Sequence, residues 1–326
     1  MSNNALLKIN DLKISFQNDN AFLQVVRGVD IELNKGEILG ILGESGSGKT
    51  VTASSILRLV DDGSSRIDSG NIIFEGTDLL KLKEKQMRSI RGKRISYIFQ
   101  DSAAALNPYK KIGDQLKEVL KIHKKSFTKA DIINAMKNVG IENAEVIYHM
   151  YKSQLSGGLC QRVAIAMATL CSPQIIIADE PTTAIDASLQ KKVLELLKYT
   201  NEHSNSSILL ITHDIDVVKH ICHKIVVMYG GLVMEEGPME DVLSIPLHPY
   251  TEELLRCVES LNTNDEELYT INGSPLQVKD FSEQCPFYER CKYKEDKCKV
   301  GMPKVSSINN RKVRCFLREG GDNIEQ

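Results

Sequence analysis

No uninterrupted run of 18 apolar residues occurs in this 326-residue chain, so it offers no obvious transmembrane helix. The opening MSNNALLKIN lacks the apolar core of a secretory signal, which leads to the expectation of a cytoplasmic chain, one that could still bind membrane proteins. Charge of one sign is also missing: 41 basic residues face 43 acidic ones, for a net charge of -2, and no global field recommends nucleic acid as a partner. No internal repeat is visible. What is present is 42% apolar and 26% charged residues, a mixture that buries a core and is poorly matched to disorder. The length suits about two domains of roughly 150 residues.

Alternating apolar residues at Leu7, Ile9, Leu12, Ile14 and Phe16, and again from Val25 to Leu33, predict strands joined by the turn-like Gln17 to Asn20. Glu37 to Leu42 is nearly continuous in apolar character, as a buried strand requires, and leads into a glycine-rich turn and a helix from Lys49. Ile95 to Phe99, Ile175 to Ala178 and Ile208 to Ile211 are further strands, each ending near a polar residue, as at the carboxyl edge of a doubly wound sheet. Helical patterns over Ile112 to His123, Thr128 to Val139 and Leu159 to Leu170 predict a helical lobe at about 101–170. Residues 258–267 are polar enough for a linker, and a cysteine-bearing tail follows from Ile271.

The segment Gly43-Glu44-Ser45-Gly46-Ser47-Gly48-Lys49-Thr50 fits G-x-x-x-x-G-K-[ST] between strand and helix patterns. Its glycines let backbone N–H groups wrap phosphate at a helix N-terminus, Lys49 reaches the β and γ phosphates, and Thr50 holds magnesium. The strand from Ile175 ends in Asp179 and Glu180, which divide the work: Asp179 on the metal, Glu180 on the attacking water. Gln100 follows the Ile95 strand and is placed to touch magnesium or water; His213 follows the Ile208 strand and is placed to reach a γ phosphate. Taken alone, an amide or a histidine at such a point is more often a polar cap or a surface residue.

The next motifs narrow the class. Leu155-Ser156-Gly157-Gly158-Leu159-Cys160-Gln161-Arg162 resembles the signature of ABC-transporter ATPases, and Asp179-Glu180-Pro181-Thr182-Thr183-Ala184-Ile185-Asp186 resembles their magnesium-site and D-loop sequence. Apart from any family, Ser156, Gly157 and Gly158 open a helix-compatible stretch and so suit an anion. The resemblance implies an α/β fold: an ABC ATPase with a RecA-like core sheet, antiparallel N-terminal strands, an inserted helical subdomain and a small cysteine-bearing C-terminal segment. It further implies that Ser156, Gly157 and Gly158 close over ATP held by the opposite subunit, that Asp186 couples the two sites, and that Phe16 stacks on adenine. A simple core aromatic is the plainer reading of Phe16. Leu159 and Cys160 depart from the LSGGQ-like form, which leaves rate and partner preference open.

Phe99-Gln100-Asp101 with Leu106-Asn107-Pro108, Ala178 to Ala184, Val226 to Tyr229 with Glu235-Glu236-Gly237, and His248-Pro249-Tyr250-Thr251 are similar to the ATP-binding subunits of dipeptide and oligopeptide permeases, and the Ala178-to-Ala184 wording resembles their D-type subunit more than its F-type companion. That similarity implies an ATPase coupled to peptide import at the cytoplasmic face of the membrane. Its partners would be a related ATPase subunit in a head-to-tail heterodimer, two transmembrane permease subunits and an extracytoplasmic peptide-binding protein, with no specific nucleic acid. The expected domains are a nucleotide-binding domain at 1–257 and an extension at 258–326. Alternatives are a nickel or other small-solute importer, a nucleotide-dependent assembly module without sustained turnover, and a soluble ABC ATPase acting on DNA or translation.

Cys285-x5-Cys291-x6-Cys298-x16-Cys315 supplies four soft ligands with no intervening histidine, wider spaced than common structural zinc pairs. The expectation is a 4Fe-4S cluster, with Zn2+ and unligated or disulfide-forming cysteines as the alternatives. The tail's Ile271-x-Gly273-x-Pro275 and Arg290-Cys291 wording is similar to the peptide group's terminal segment, some members of which are associated with such a cluster. Cys160, Cys171, Cys222 and Cys257 are irregularly spaced and read as small interior residues. The expected cofactor set is therefore ATP, Mg2+ and the cluster.

Overall fold

The computed structural model describes residues 5–18, 21–60, 63–123, 126–182, 187–262 and 269–319. Within them the strands run, in chain order, β1 (Ala5–Asn18), β2 (Ala21–Asn34), β3 (Ile38–Leu42), β4 (Ser65–Phe74), β5 (Thr77–Asp78), β6 (Ile95–Ile98), β7 (Ile175–Asp179), β8 (Ser207–Ile211), β9 (Lys224–Tyr229), β10 (Leu232–Pro238), β11 (Val305–Ile308) and β12 (Arg311–Arg314). The chain divides into two compact units, one holding Leu33–Ile38 and Lys81–Ile211, the other Ala5–Glu32, Leu39–Leu80 and Thr212–Gln326.

In the first unit β6, β7 and β8 lie side by side and parallel, with Ile98 opposite Ala178 and Asp179 opposite Ile211. Every residue of β7 and β8 is buried, which is why their sequences are continuous runs rather than alternating ones. The helices Ile112–Ile122, Lys129–Asn138 and Gly157–Thr169 lie between β6 and β7 in sequence, close to the spans that apolar spacing predicts. Thr128 caps the second of these: its hydroxyl accepts from the Asp131 N–H while Asp131 reaches back to the Thr128 N–H.

In the second unit β1 pairs antiparallel with β4, and β4 with β5, in a sheet ordered β2-β1-β4-β5. A separate run of strands is ordered β11-β12-β10-β9-β3, with β3 and β9 parallel and the rest antiparallel. The tail thus carries a hairpin, β11 and β12, that pairs with β10. Helix Pro249–Asn262 runs into the stretch whose polarity suggested a linker. No described helix is long and apolar enough to cross a membrane.

Candidate functional site

The phosphate loop leaves β3, all five of whose residues are buried, and enters the helix Lys49–Ser55. Gly43 has φ +152, and a Cβ there would lie 2.2 Å from the Met228 carbonyl oxygen and 2.9 Å from Ser47 Oγ, so only glycine lets the chain turn here. Gly48 is the left-handed cap of the helix, at φ +95. Lys49 is 5% exposed and donates to the Gly43 and Glu44 carbonyls at 2.7 and 2.9 Å. The Ser47 hydroxyl is buried without a hydrogen-bond partner, an orphan in the place where a phosphate oxygen would satisfy it. The loop therefore fits a nucleotide's phosphates. Phe16, on β1 opposite Ser65, is half-buried. His213 is exposed, beyond Thr212, whose N–H donates to the Ile41 carbonyl at 3.1 Å.

At the end of β7 the two carboxylates have different surroundings. Asp179 is 3% exposed and accepts from the Tyr97 hydroxyl at 2.8 Å. Burial, and then the charge of Asp179, push the Tyr97 phenol up, so the tyrosine stays a donor. Glu180 sits at φ +45, an uncommon conformation for a side-chain-bearing residue, with its N–H on the Ile211 carbonyl at 2.9 Å. Its carboxylate accepts from the Gln100 amide at 2.7 Å. The oxygens of Asp179 and of the Gln100 amide, like the Thr50 hydroxyl, are hard ligands of the kind Mg2+ takes.

Ser156 caps the helix Gly157–Thr169, its hydroxyl accepting from the Leu159 N–H at 3.4 Å. A Cβ on Gly157 would meet nothing within 4 Å, so this helix start is open to an incoming group. Gln161, which sequence reasoning passed over, donates from a buried amide to the Pro181 carbonyl at 2.7 Å and ties the signature helix to the segment after Glu180. Thr183, Ala184, Ile185 and the expected coupling residue Asp186 lie outside the described residues.

The iron–sulfur expectation is corrected. Among the described residues no group of three or more His, Cys, Asp or Glu is placed to hold a metal ion, which removes the zinc alternative as well. Burial pushes the Cys285 thiol up to about 12, Cys315 up to about 11 and Cys291 in the same direction. Cys285, Cys298 and Cys315 are buried; Cys315 packs with Leu247 and Val313, and the Cys285 N–H donates to the Cys298 carbonyl at 3.0 Å. None of the eight cysteines forms a disulfide among the described residues. Cys160, Cys171 and Cys222 are interior, while Cys257 is half-buried.

Sequence reasoning gave Glu44 no partner. Its carboxylate is held by Arg290 and its N–H by the Tyr250 hydroxyl at 2.9 Å. The signal was present only as two separate motif fragments.

The family model for ABC transporters matches residues 26–183, and that for the oligopeptide/dipeptide transporter C-terminal region matches residues 234–298. The dipeptide transport ATP-binding protein DppD of Bacillus subtilis (strain 168) is 41% identical over 318 residues, covering 96% of this chain and 95% of the relative. The oligopeptide transport ATP-binding protein OppD of Haemophilus influenzae is 39% identical, covering 96% and 98%. Among solved structures, a post-hydrolysis dimer of an ATP-binding cassette bound to ADP and Pi superposes with TM-score 0.64 at 26% identity, covering 72% of this chain and 98% of the cassette.

Proposed function

Because this chain belongs to the ABC transporter ATPases, in their dipeptide and oligopeptide transport group, we propose that it hydrolyses ATP to ADP and phosphate and so powers peptide import through a membrane permease. The observation that carries the chemistry is the phosphate loop: a turn that only glycine allows, a buried lysine and an orphaned Ser47 hydroxyl. The observation that carries the cargo is likeness over nearly the whole chain to peptide-transport subunits.

In this reading the loop from Gly43 to Thr50 wraps the β and γ phosphates, and Lys49 turns from its carbonyls to the phosphate oxygens. Thr50, Asp179 and Gln100 would hold Mg2+, which when bound neutralises charge on the phosphates. Tyr97 fixes the Asp179 carboxylate by donating to one of its oxygens. Glu180 accepts the proton of the attacking water, and Gln100 orients it. His213 aligns the γ phosphate, and Phe16 stacks on adenine. Ser156, Gly157 and Gly158 offer a hydroxyl and helix-start N–H groups to ATP on a second ATPase subunit, with Asp186 coupling the two sites.

The domains that suit this reading are a nucleotide-binding domain at 1–257, with the helices of about 101–170 as its helical subdomain, and a cysteine-bearing extension at 258–326. The working assembly would pair this chain head to tail with a related ATPase, beneath two permease subunits that hold it at the cytoplasmic face, with an extracytoplasmic peptide-binding protein completing the transporter on the opposite side of the membrane.

The test is uptake of a labelled dipeptide and a labelled oligopeptide by cells lacking this chain. Uptake should be lost, restored by the wild-type chain and not restored by Glu180→Gln. Intact peptide uptake with a fall in nickel uptake would move the assignment to the nickel importers.

A further inference from the structure

The phosphate loop is gripped from the C-terminal segment. Arg290 sets two guanidinium nitrogens against the two carboxylate oxygens of Glu44, at 2.7 and 3.0 Å, in the parallel fork that gives such pairs their geometric definition. The Arg290 side chain is only 6% exposed. Two further donors are also used: Nε reaches the Asn272 carbonyl at 3.1 Å and Nη1 the Tyr229 hydroxyl at 3.2 Å. Beneath it lie Tyr229, Tyr250 and Phe287, with ring centroids 4.6 to 5.4 Å apart, and the Tyr250 hydroxyl receives the Glu44 N–H. The Glu44 carbonyl in turn accepts from Lys49 Nζ. One residue of the loop is therefore fixed at its N–H, its carbonyl and its carboxylate, and two of those three holds come from residues after β10.

An acidic side chain in a loop built for polyphosphate is an electrostatic liability, since like charges repel most where water is partly excluded. Pairing with a buried guanidinium cancels that charge and pins the carboxylate at one side of the loop. We infer that Arg290 is a positioning residue for the ATPase reaction: it neutralises and anchors Glu44, so that the C-terminal segment sets the affinity of the phosphate loop for ATP. This inference rests on the ATPase reading above. It gives the terminal extension a task in nucleotide binding that its four cysteines do not suggest.

The test is steady-state Mg-ATP hydrolysis by the assembled transporter carrying Arg290→Gln or the double change Glu44→Gln/Arg290→Gln. Arg290→Gln should raise KM for ATP about tenfold and leave kcat within about twofold, the pattern of lost ground-state binding. Removing the stranded carboxylate in the double variant should bring KM back to within about threefold of wild type. An unchanged KM in Arg290→Gln overturns the inference, and so does a raised KM that the second change does not lower, because the loss would then come from disrupted tail packing. Where Arg290→Gln fails to fold, Arg290→Lys keeps the charge but not the fork; a KM raised severalfold supports the inference and an unchanged one overturns it. A wild-type assembly that does not turn over ATP would instead sink the ATPase reading itself.

Discussion

The Gln100 side-chain amide donates to the Glu180 carboxylate at 2.7 Å, joining the second residue after β6 to the first residue after β7. This bond holds the Glu180 carboxylate in a fixed orientation. Glu180→Gln should retain ATP binding while hydrolysis falls by about two to four orders of magnitude, the usual worth of a general base. Gln100→Ala should cost about tenfold, because the base survives and only its orientation is lost. Nucleotide binding and phosphate release on the same preparations check both, and unchanged turnover in Glu180→Gln would remove the base assignment.

Gly43 and Gly46 make a paired comparison. A methyl group on Gly43 collides with the backbone carbonyl of Met228, whereas one on Gly46 meets nothing within 4 Å and bears only the strain of φ +81. Gly43→Ala should therefore lower both the melting temperature and ATP affinity, the latter more than tenfold. Gly46→Ala should cost about 1–2 kcal/mol from backbone strain. Equal effects from the two changes would contradict the close approach to Met228.

Burial pushes the His248 imidazole down to about 3, and its Nδ1 accepts the Tyr250 N–H, so the folded chain holds it neutral. The unfolded chain protonates the same group near its ordinary value of about 6.5. Stability from this histidine is thus complete above that pH and is lost as pH falls from about 6.5 towards 3, at up to about 1.4 kcal/mol per pH unit. Urea unfolding at pH 7.5, 6 and 5 should show the decline, and His248→Gln should flatten it while lowering stability at pH 7.5.

Gln161 is 6% exposed and its amide serves the Pro181 carbonyl. Gln161→Leu keeps the bulk and strands that carbonyl, which should cost about 1–3 kcal/mol in chemical unfolding. The change should also slow hydrolysis, since Pro181 directly follows Glu180. A variant as stable as wild type would show that the carbonyl finds another donor.

Buried parallel strands were legible because they are short, continuous and apolar: Ile175 to Ala178 and Ile208 to Ile211 each fall within one residue of the observed ends. The phosphate loop and acidic pair were legible because their chemistry is packed into consecutive residues. Gln161 sits in the signature segment, yet nothing local says that its amide turns to Pro181. The Arg290–Glu44 pair was illegible for a different reason: it joins positions 246 apart in sequence, and polar pairing across that separation leaves no periodic trace. The four tail cysteines misled because their x5, x6 and x16 spacing suits metal ligation without requiring it. Three of them are buried instead, and Cys315 fills space against Leu247 and Val313.

The terminal hairpin has one more consequence. Its strand β12 pairs with β10 at Glu235 and Glu236, and its Arg311 binds the fully buried Glu235 carboxylate, which also accepts from the Leu247 and His248 N–H groups at 3.0 Å. A chain cut before Val305 would strip β10 of its neighbour, baring a row of unused N–H and C=O groups beside a carboxylate that has lost its cation. Such an edge is a template for a foreign strand. The last hairpin therefore acts as the sheet's selvedge, and shortened chains should self-associate even where their nucleotide loop remains intact.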